Sequence, residues 1–212
     1  MNEKDLSGLA DIFAGGFKSL NRDEQRLARA LYRALARGRP VSVTELADQV
    51  SMPASTAAQT LAAWPDIHWA EDGPIRAYLG LTVEPTRHRI EFDEGVAYTW
   101  CAWDTLFIPG IVGSEARVHS TCPATGAAVS LTVRAGGVTD VTPADAALSF
   151  LAPDESQLGE TVTANFCQFV HFIASGQADS AAWIAARPEL FVLSLDEAFT
   201  LGALVNTRRF TS

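Results

Sequence analysis

A repeated leucine spacing in the first third of the chain gives the clearest hydrophobic pattern. From residue 23 the segment DEQRLARALYRALARGRP places leucines at 27, 31 and 35, with acidic residues in its first turn and arginines towards its end. Glycine at 38 and proline at 40 follow, where they can stop a helix. Acidic residues favour a helix start and basic residues its end, so this segment predicts an amphipathic helix.

The next segment, VSVTELADQVSMPASTAAQTLAAW, predicts two short helices. Ser42 or Thr44 can cap the first, and the second starts at Ser51-Met52-Pro53. Two extended runs then flank Asp72-Gly73-Pro74, a pattern typical of a hairpin. Helices followed by a hairpin suit a winged helix, so we assign residues 1–83 to a winged-helix-like N-terminal module.

The pattern changes after residue 83. Short extended runs (HRIEF, VAYTW, AAVSLTV and NFCQFVHFIA) are separated by Gly, Pro and Asp, and they predict antiparallel sheet. Helical spacing interrupts them at 101–109, 179–186 and 195–207, with Pro109-Gly110 as the end of the first helix. We therefore expect an α+β fold, in which the N-terminal module precedes an α+β domain of antiparallel sheets and flanking helices over residues 84–212.

Composition limits the range of partners. The chain has 212 residues, 48% hydrophobic and 19% charged, enough for one large domain or two small ones. Its net charge of −9 disfavours nucleic acid and membrane partners, which attract mainly Lys and Arg. No run approaches the roughly 20 apolar residues that span a bilayer, so we expect a cytoplasmic protein. Three cysteines, an odd number at wide spacing, suit reduced thiols.

The charge distribution also disfavours DNA binding by the predicted winged helix. Residues 1–83 carry nine Lys or Arg against ten Asp or Glu, and residues 41–64 carry no basic residue. A winged helix that binds DNA needs basic side chains on or beside its second helix. We therefore expect this module to be a structural cap on the second domain.

Candidate chemistry begins in the segment YTWCAWDTLF, where Cys101 and Asp104 lie among aromatic residues. An extended run ends there and a helical one begins, which predicts Cys101 near a helix N-terminus with Asp104 one turn on, on the same face. The helix dipole would then favour a thiolate, and the aromatic surroundings a protonated carboxyl group. Spacing alone favours the alternative of an inert buried thiol and a carboxylate that caps the helix start.

Two other cysteines leave further alternatives open. Cys167 lies in the extended run NFCQFVHFIAS and is by default a small core side chain, while Cys122 lies in a predicted turn. With His119 and His171 nearby in sequence these cysteines could form a zinc site, although the paired C-x2-C spacing is absent. A hydrolase with Cys101 as nucleophile and either histidine as base lacks an oxyanion-hole signature.

Five segments resemble the bacterial organomercurial lyases, also called alkylmercury lyases: ALARGRPVS, YTWCAWDTLFIPGIVG, CPATGAAVSLTV, NFCQFVHFIAS and DEAFTLG. The resemblance implies that Cys101, Asp104 and Cys167 are catalytic and that Cys122 is structural. Some family members carry a second cysteine after the later catalytic one, where this chain has Gln168. The family fold, a winged-helix-like region before antiparallel sheets and helices, agrees with the hydrophobic pattern.

The implied reaction is protonolysis of a carbon–mercury bond, which gives a hydrocarbon and Hg²⁺. Mercury is a soft cation that prefers thiolates, so Cys101 and Cys167 would hold it while Asp104 delivers a proton to carbon. An aromatic wall would receive the organic group and exclude water, formed by Trp100, Trp103 and Phe166.

The resemblance implies no cofactor, since mercury is substrate and product and external small thiols support turnover. The expected partners are organomercurials, small thiols and mercuric reductase, which would receive Hg²⁺. A second hypothesis is a non-catalytic soft-metal-binding or metal-responsive winged-helix protein. The missing basic residues in 41–64 disfavour a regulator, and Asp104 near Cys101 favours proton transfer.

Overall fold

The structure, a computed structural model, describes residues 3–71, 73–151 and 166–210. These ranges contain seven α-helices, eleven β-strands and one 3₁₀ turn, so the fold is α+β, as the sequence predicts. Asp72, in the turn of the predicted hairpin, lies outside the described residues. No helix within these ranges is both long and apolar enough to cross a lipid bilayer.

Four helices open the fold: α1 (Glu3–Gly16), α2 (Arg22–Leu35), α3 (Val43–Val50) and α4 (Ala54–Ala62). The predicted amphipathic helix is α2, which begins with a capping box between Asn21 and Glu24 and buries its leucines. Ser42 caps α3 by accepting a hydrogen bond from the Glu45 N–H at 3.2 Å. The three helices predicted within residues 23–64 are therefore confirmed.

The larger sheet has eight antiparallel strands in the order β1-β2-β3-β5-β4-β6-β7-β8. Helix α5 (Asp104–Val112) connects β5 to β6. The hairpin predicted from the extended runs on either side of position 72 is the β1–β2 pair. The strands are β1 (Ile67–Trp69), β2 (Ile75–Tyr78), β3 (Leu81–Thr82), β4 (His88–Phe92), β5 (Gly95–Thr99), β6 (Ala116–Thr121), β7 (Ala128–Arg134) and β8 (Gly137–Thr142).

A smaller sheet of three antiparallel strands has the order β10-β9-β11. Its strands are β9 (Ala146–Leu151), β10 (Phe172–Ala174) and β11 (Leu190–Ser194). Helix α6 (Ala178–Ala185) precedes β11, and α7 (Leu195–Arg209) follows it with a capping box at its start. Both helices match the helical spacing in the sequence.

Helix α1 was not predicted, although its buried residues Leu6, Ala10 and Phe13 have helical spacing. Its glycines weaken the helical signal. The helix packs along α7, where the Arg208 guanidinium pairs with Asp11 at 2.7 Å. The N-terminal and C-terminal helices of the described chain therefore form one layer.

The larger sheet runs across the predicted boundary at residue 84, because Leu81 in β3 pairs with Thr99 in β5. Close backbone contact reinforces this connection: a Cβ on Gly38, just after α2, would overlap the Val96 carbonyl oxygen in β5. The division into modules 1–83 and 84–212 and the winged-helix assignment stay predictions.

Candidate active site

Cys101 and Asp104 lie at the junction of β5 and α5. The helix begins at Asp104, so Cys101 lies near its N-terminus as predicted. The predicted helix start at residue 101 is wrong, and Asp104 is the first residue of the helix and does not lie one turn into it. The predicted helix end at Pro109-Gly110 is also wrong, because α5 continues to a left-handed Gly113 that caps it. The Cys101 N–H donates to Asp104 Oδ2 at 2.9 Å, so the carboxyl group turns back towards the cysteine.

Cys167 lies in a 3₁₀ turn over Cys167–Phe169, and the strand predicted there begins only at Phe172. The hydroxyl of Ser149 in β9 explains the difference. It donates to the Phe169 carbonyl oxygen at 2.8 Å and accepts from the His171 N–H at 3.0 Å. A side chain thus satisfies backbone groups that a regular strand would pair with another strand.

A hydrogen bond between the two segments brings the three predicted catalytic residues together. The Ala102 N–H donates to the Val170 carbonyl oxygen at 3.1 Å. The Cys101 and Cys167 sulfurs and a carboxylate oxygen of Asp104 all lie within 4.8 Å of one another. The three residues are 0%, 3% and 5% exposed, respectively. Among the His, Cys, Asp and Glu side chains of the described ranges, these three form the group that could hold one metal ion.

Burial sets the proton affinity of the acid. Removal from water raises the pKa of Asp104 to about 6, although hydrogen bonds from the Cys101 N–H and thiol act in the opposite direction. This agrees with the expected direction. A carboxyl group with this pKa is a better proton acceptor than an ordinary aspartate and still a competent donor near neutral pH.

Burial raises the pKa of the Cys101 thiol well above its ordinary value, and Cys167 and Asp104 raise it further. For Cys167 the hydrogen bond with Cys101 lowers the pKa, but burial and the Asp104 charge outweigh it and the pKa is raised. The expectation that the helix dipole ionises Cys101 is wrong, since this residue precedes α5 and is fully buried. Both thiols are protonated at neutral pH.

The structure divides the predicted aromatic wall into two parts. Trp103 and Phe166 have ring centres 5.9 Å apart in a buried cluster. The Trp103 indole N–H donates to the Ala198 carbonyl oxygen in α7 at 2.9 Å. Trp100 is half-buried, with its ring centre 5.0 Å from that of His68. Contact of these aromatic residues with an organic group stays a prediction.

Cys122 belongs to a separate site, packed in a small buried cluster with Ala147 and Ile173. Its sulfur lies 3.7 Å from the Ser180 hydroxyl oxygen. Burial raises the pKa of this thiol, but hydrogen bonds from Thr125, Ser180 and two backbone N–H groups together lower it to about 7. The structural role of Cys122 stays a prediction.

His119 and His171 were the candidates for zinc or hydrolase chemistry. Within the described residues, neither belongs to the group of Cys101, Asp104 and Cys167 that could hold a metal ion. His119 Nε2 lies 3.6 Å from a carboxylate oxygen of Glu91. His171 Nε2 hydrogen-bonds the Gln168 carbonyl oxygen at 2.8 Å. The geometry therefore favours a site of two thiols and an acid.

Sequence reasoning missed two residues close to the acid. Gly80 lies against Asp104, since a Cβ at Gly80 would be 2.6 Å from Asp104 Oδ1. Tyr32 is fully buried in α2 and its hydroxyl donates to the Leu79 carbonyl oxygen at 2.9 Å. The only available signal was the Leu79-Gly80 pair between two extended runs, which suits a two-residue hairpin turn.

The fold is similar to that in the crystal structure of the mercury-bound form of MerB2. The TM-score is 0.75, with 21% sequence identity, over 97% of this chain and 99% of that one. At this level of identity the similarity shows the fold, and it confirms the α+β architecture.

Sequence comparisons identify the family. The sequence model of alkylmercury lyase (MerB) matches residues 81–207. The alkylmercury lyase of Streptomyces lividans is 40% identical over 194 residues, which cover 92% of this chain and 87% of that protein. The alkylmercury lyase of Staphylococcus epidermidis is 38% identical over 182 residues, which cover 86% of this chain and 82% of that protein. The alkylmercury lyase of Pseudomonas putida is 39% identical over 175 residues, which cover 82% of this chain and 80% of that protein. The chain therefore belongs to the alkylmercury lyase family of enzymes.

Proposed function

We propose that this enzyme cleaves the carbon–mercury bond of organomercurials by protonolysis, with Cys101 and Cys167 as mercury ligands and Asp104 as the proton carrier. The observation that carries the proposal is the meeting of two sulfurs and a carboxylate oxygen within 4.8 Å. Soft thiolates suit mercury, and a neighbouring acid suits proton transfer to carbon. MerB2, which shares the fold, has a mercury-bound form.

The proton balance follows from the protonated thiols. Formation of two sulfur–mercury bonds releases two thiol protons from Cys101 and Cys167. Asp104 accepts one of them and gives it to the carbon as the carbon–mercury electron pair leaves mercury. The second proton passes to solvent. The overall step converts R–Hg⁺ and two thiols into RH, a bis-thiolate Hg²⁺ complex and one H⁺.

Desolvation supports the role of the acid. A pKa raised to about 6 makes Asp104 stronger as a base than an exposed aspartate. The Cys101 N–H fixes one carboxylate oxygen at 2.9 Å. The carboxyl group also accepts a hydrogen bond from the Cys101 thiol, so it is placed to exchange a proton with that thiol and with the carbon bound to mercury.

Release of the product requires other ligands for mercury. We propose that external small thiols take Hg²⁺ from Cys101 and Cys167, and that the reaction uses no cofactor. The aromatic side chains of Trp100, Trp103 and Phe166 would receive the organic group, because each lies within two positions of a reacting cysteine in sequence. Transfer of Hg²⁺ to mercuric reductase stays a prediction of the family resemblance.

Benzene release from phenylmercury in excess small thiol tests the proposal. The wild-type protein should release benzene over many turnovers. Asp104→Asn should bind one Hg²⁺ per chain as the wild type does, yet lose at least about a hundredfold in kcat, since an amide cannot supply an acid proton. Gas chromatography and a mercury titration measure the two properties.

The matched control is Asp48→Asn, which makes the same change at an exposed position in α3 and should keep full activity. Wild-type kinetics in Asp104→Asn would refute the proton-carrier role. Sequestration of phenylmercury by the wild type without benzene release would instead support a non-catalytic soft-metal-binding protein.

A further inference from the structure

The turn between β2 and β3 has an unusual backbone and lies directly against the proposed acid. It consists of Leu79 and Gly80, with φ angles of +34° and +95°. Two positive φ angles are required in type I′ hairpin turns, where Asn-Gly is preferred. A leucine in this conformation costs about 1 kcal/mol or more, so the surrounding structure must hold it in place.

Three hydrogen bonds hold this turn. The Tyr32 hydroxyl in α2 donates to the Leu79 carbonyl oxygen at 2.9 Å. The Leu79 N–H donates to the Asp66 carbonyl oxygen at 3.2 Å, and the Trp100 N–H donates to the Gly80 carbonyl oxygen at 2.9 Å. The bond from Tyr32 is made by a side chain, so a single substitution can remove it without changing the backbone.

The turn limits where the Asp104 carboxyl group can lie. A Cβ at Gly80 would be 2.6 Å from Asp104 Oδ1 and 2.7 Å from its Cγ. On its other side, Asp104 Oδ2 accepts the Cys101 N–H at 2.9 Å. The carboxyl group is thus enclosed between the turn backbone and the peptide of the reacting cysteine.

We propose that Tyr32 is a positioning residue for Asp104: its hydroxyl holds the Leu79–Gly80 turn against the carboxyl group and so maintains the proton-transfer geometry. The inference rests on the proposed function of Asp104. It adds to that function a residue of the N-terminal helices that touches neither mercury nor a reacting atom. A displacement of about 1 Å in a catalytic group can reduce the rate by about a hundredfold.

The test is Tyr32→Phe, which removes one hydroxyl and keeps the ring. The matched control is Tyr78→Phe, because the Tyr78 ring is also buried and lies 5.2 Å from the Tyr32 ring. The Tyr32 and Tyr78 hydroxyls both interact with the Arg209 guanidinium. Among the hydrogen bonds of the described residues, only the Tyr32 hydroxyl donates to the Leu79 carbonyl oxygen of the turn. The two variants therefore separate turn positioning from the general loss of a buried phenol.

We expect Tyr32→Phe to lower kcat for phenylmercury about tenfold or more, with KM within about twofold and one Hg²⁺ still bound per chain. Tyr78→Phe should keep kcat within about twofold of the wild type. In the Asp104→Asn background, Tyr32→Phe should cause no further loss, because the group that it positions is absent.

Three results would each overturn the inference. The first is an equal loss of kcat in Tyr32→Phe and Tyr78→Phe, and the second is wild-type kcat in Tyr32→Phe. The third is a full additional loss of kcat when Tyr32→Phe is added to Asp104→Asn. Should Tyr32→Phe fail to fold, Gly80→Ala approaches the carboxyl group from the turn and should reduce kcat while mercury binding is retained. Unchanged kcat in Gly80→Ala would also overturn it. An inactive wild-type protein would refute the proposed function first, and this inference with it.

Discussion

Cys122 and the pair of Cys101 and Cys167 are all free, buried thiols, yet their sulfurs have different surroundings. Hydrogen bonds from Thr125 and Ser180 help to lower the pKa of Cys122 to about 7. Burial raises the pKa of Cys101 well above its ordinary value, and the pKa of Cys167 is raised as well. A search for the most acidic thiol would therefore select the cysteine that lies away from the acid.

The comparison shows that a low thiol pKa does not by itself locate the proposed site. Two sulfurs and a carboxylate oxygen within 4.8 Å can share a soft metal ion and a proton, whereas the isolated Cys122 sulfur offers one ligand. Raised thiol pKa values also suit this chemistry, since the thiols then carry the protons that protonolysis consumes. Three predictions test this contrast.

The largest difference should be in activity. Cys101→Ser and Cys167→Ser should each abolish benzene release from phenylmercury, because a serine hydroxyl is a hard, poor ligand for mercury. Cys122→Ser should keep most of the activity and lower the free energy of unfolding by about 1–2 kcal/mol through loss of packing. Denaturant unfolding of the Cys122→Ser variant provides the control, and an inactive but folded variant would place Cys122 in the site.

A smaller effect should appear in the pH dependence of stability. The folded pKa of Asp104, about 6, lies above its unfolded value, so its contribution is fully present below the unfolded pKa and is lost as pH rises through 6. The stability of the wild type relative to Asp104→Asn should therefore fall by about 2 kcal/mol between about pH 4 and about pH 7. Urea unfolding at several pH values measures it.

Asp48→Asn serves again as the control here, because it makes the same change at an exposed position in α3. A constant difference between wild type and Asp104→Asn across this range would contradict a raised pKa in the folded protein.

The smallest effect should be spectroscopic. Thiolate absorbance at 240 nm should rise in the wild type near pH 7 by the amount of one thiol, since Cys122 has a pKa of about 7 while the other two thiols remain protonated. Cys122→Ser should lose this step. Ser180→Ala should move it to higher pH by removing one hydrogen bond to the sulfur. A step that persists in Cys122→Ser would assign the low pKa to another thiol.

Local signals in the sequence predicted the elements that depend on local interactions. Helix α2 shows this best, because its leucine spacing, acidic first turn and capping residues all lie within one segment. The β4–β5 hairpin has the same basis, since its alternation and its turn are contiguous. The short distance between Cys101 and Asp104 was also accessible, as both residues lie in one motif.

Contacts between distant segments account for what the sequence did not predict. The run around Cys167 looks like a strand, but Ser149, eighteen positions before it in sequence, supplies the hydroxyl that bonds the turn. Spacing gives no indication that Gly80 lies against Asp104, or that the Tyr32 hydroxyl reaches the Leu79 carbonyl oxygen. The family resemblance indicated the three proposed catalytic residues, while only the structure shows that the Leu79–Gly80 turn packs against Asp104.

The pairing of α1 with α7 has a consequence for synthesis of the chain. Arg208 near the end of α7 bonds Asp11 in α1, and the Trp103 indole N–H bonds the Ala198 carbonyl oxygen of α7. N-terminal segments leave the ribosome first, so α1 and Trp103 must wait for their partner until α7 has emerged. A nascent chain stalled before α7 would carry Cys101 and Cys167, the proposed mercury ligands, without the packing that encloses them.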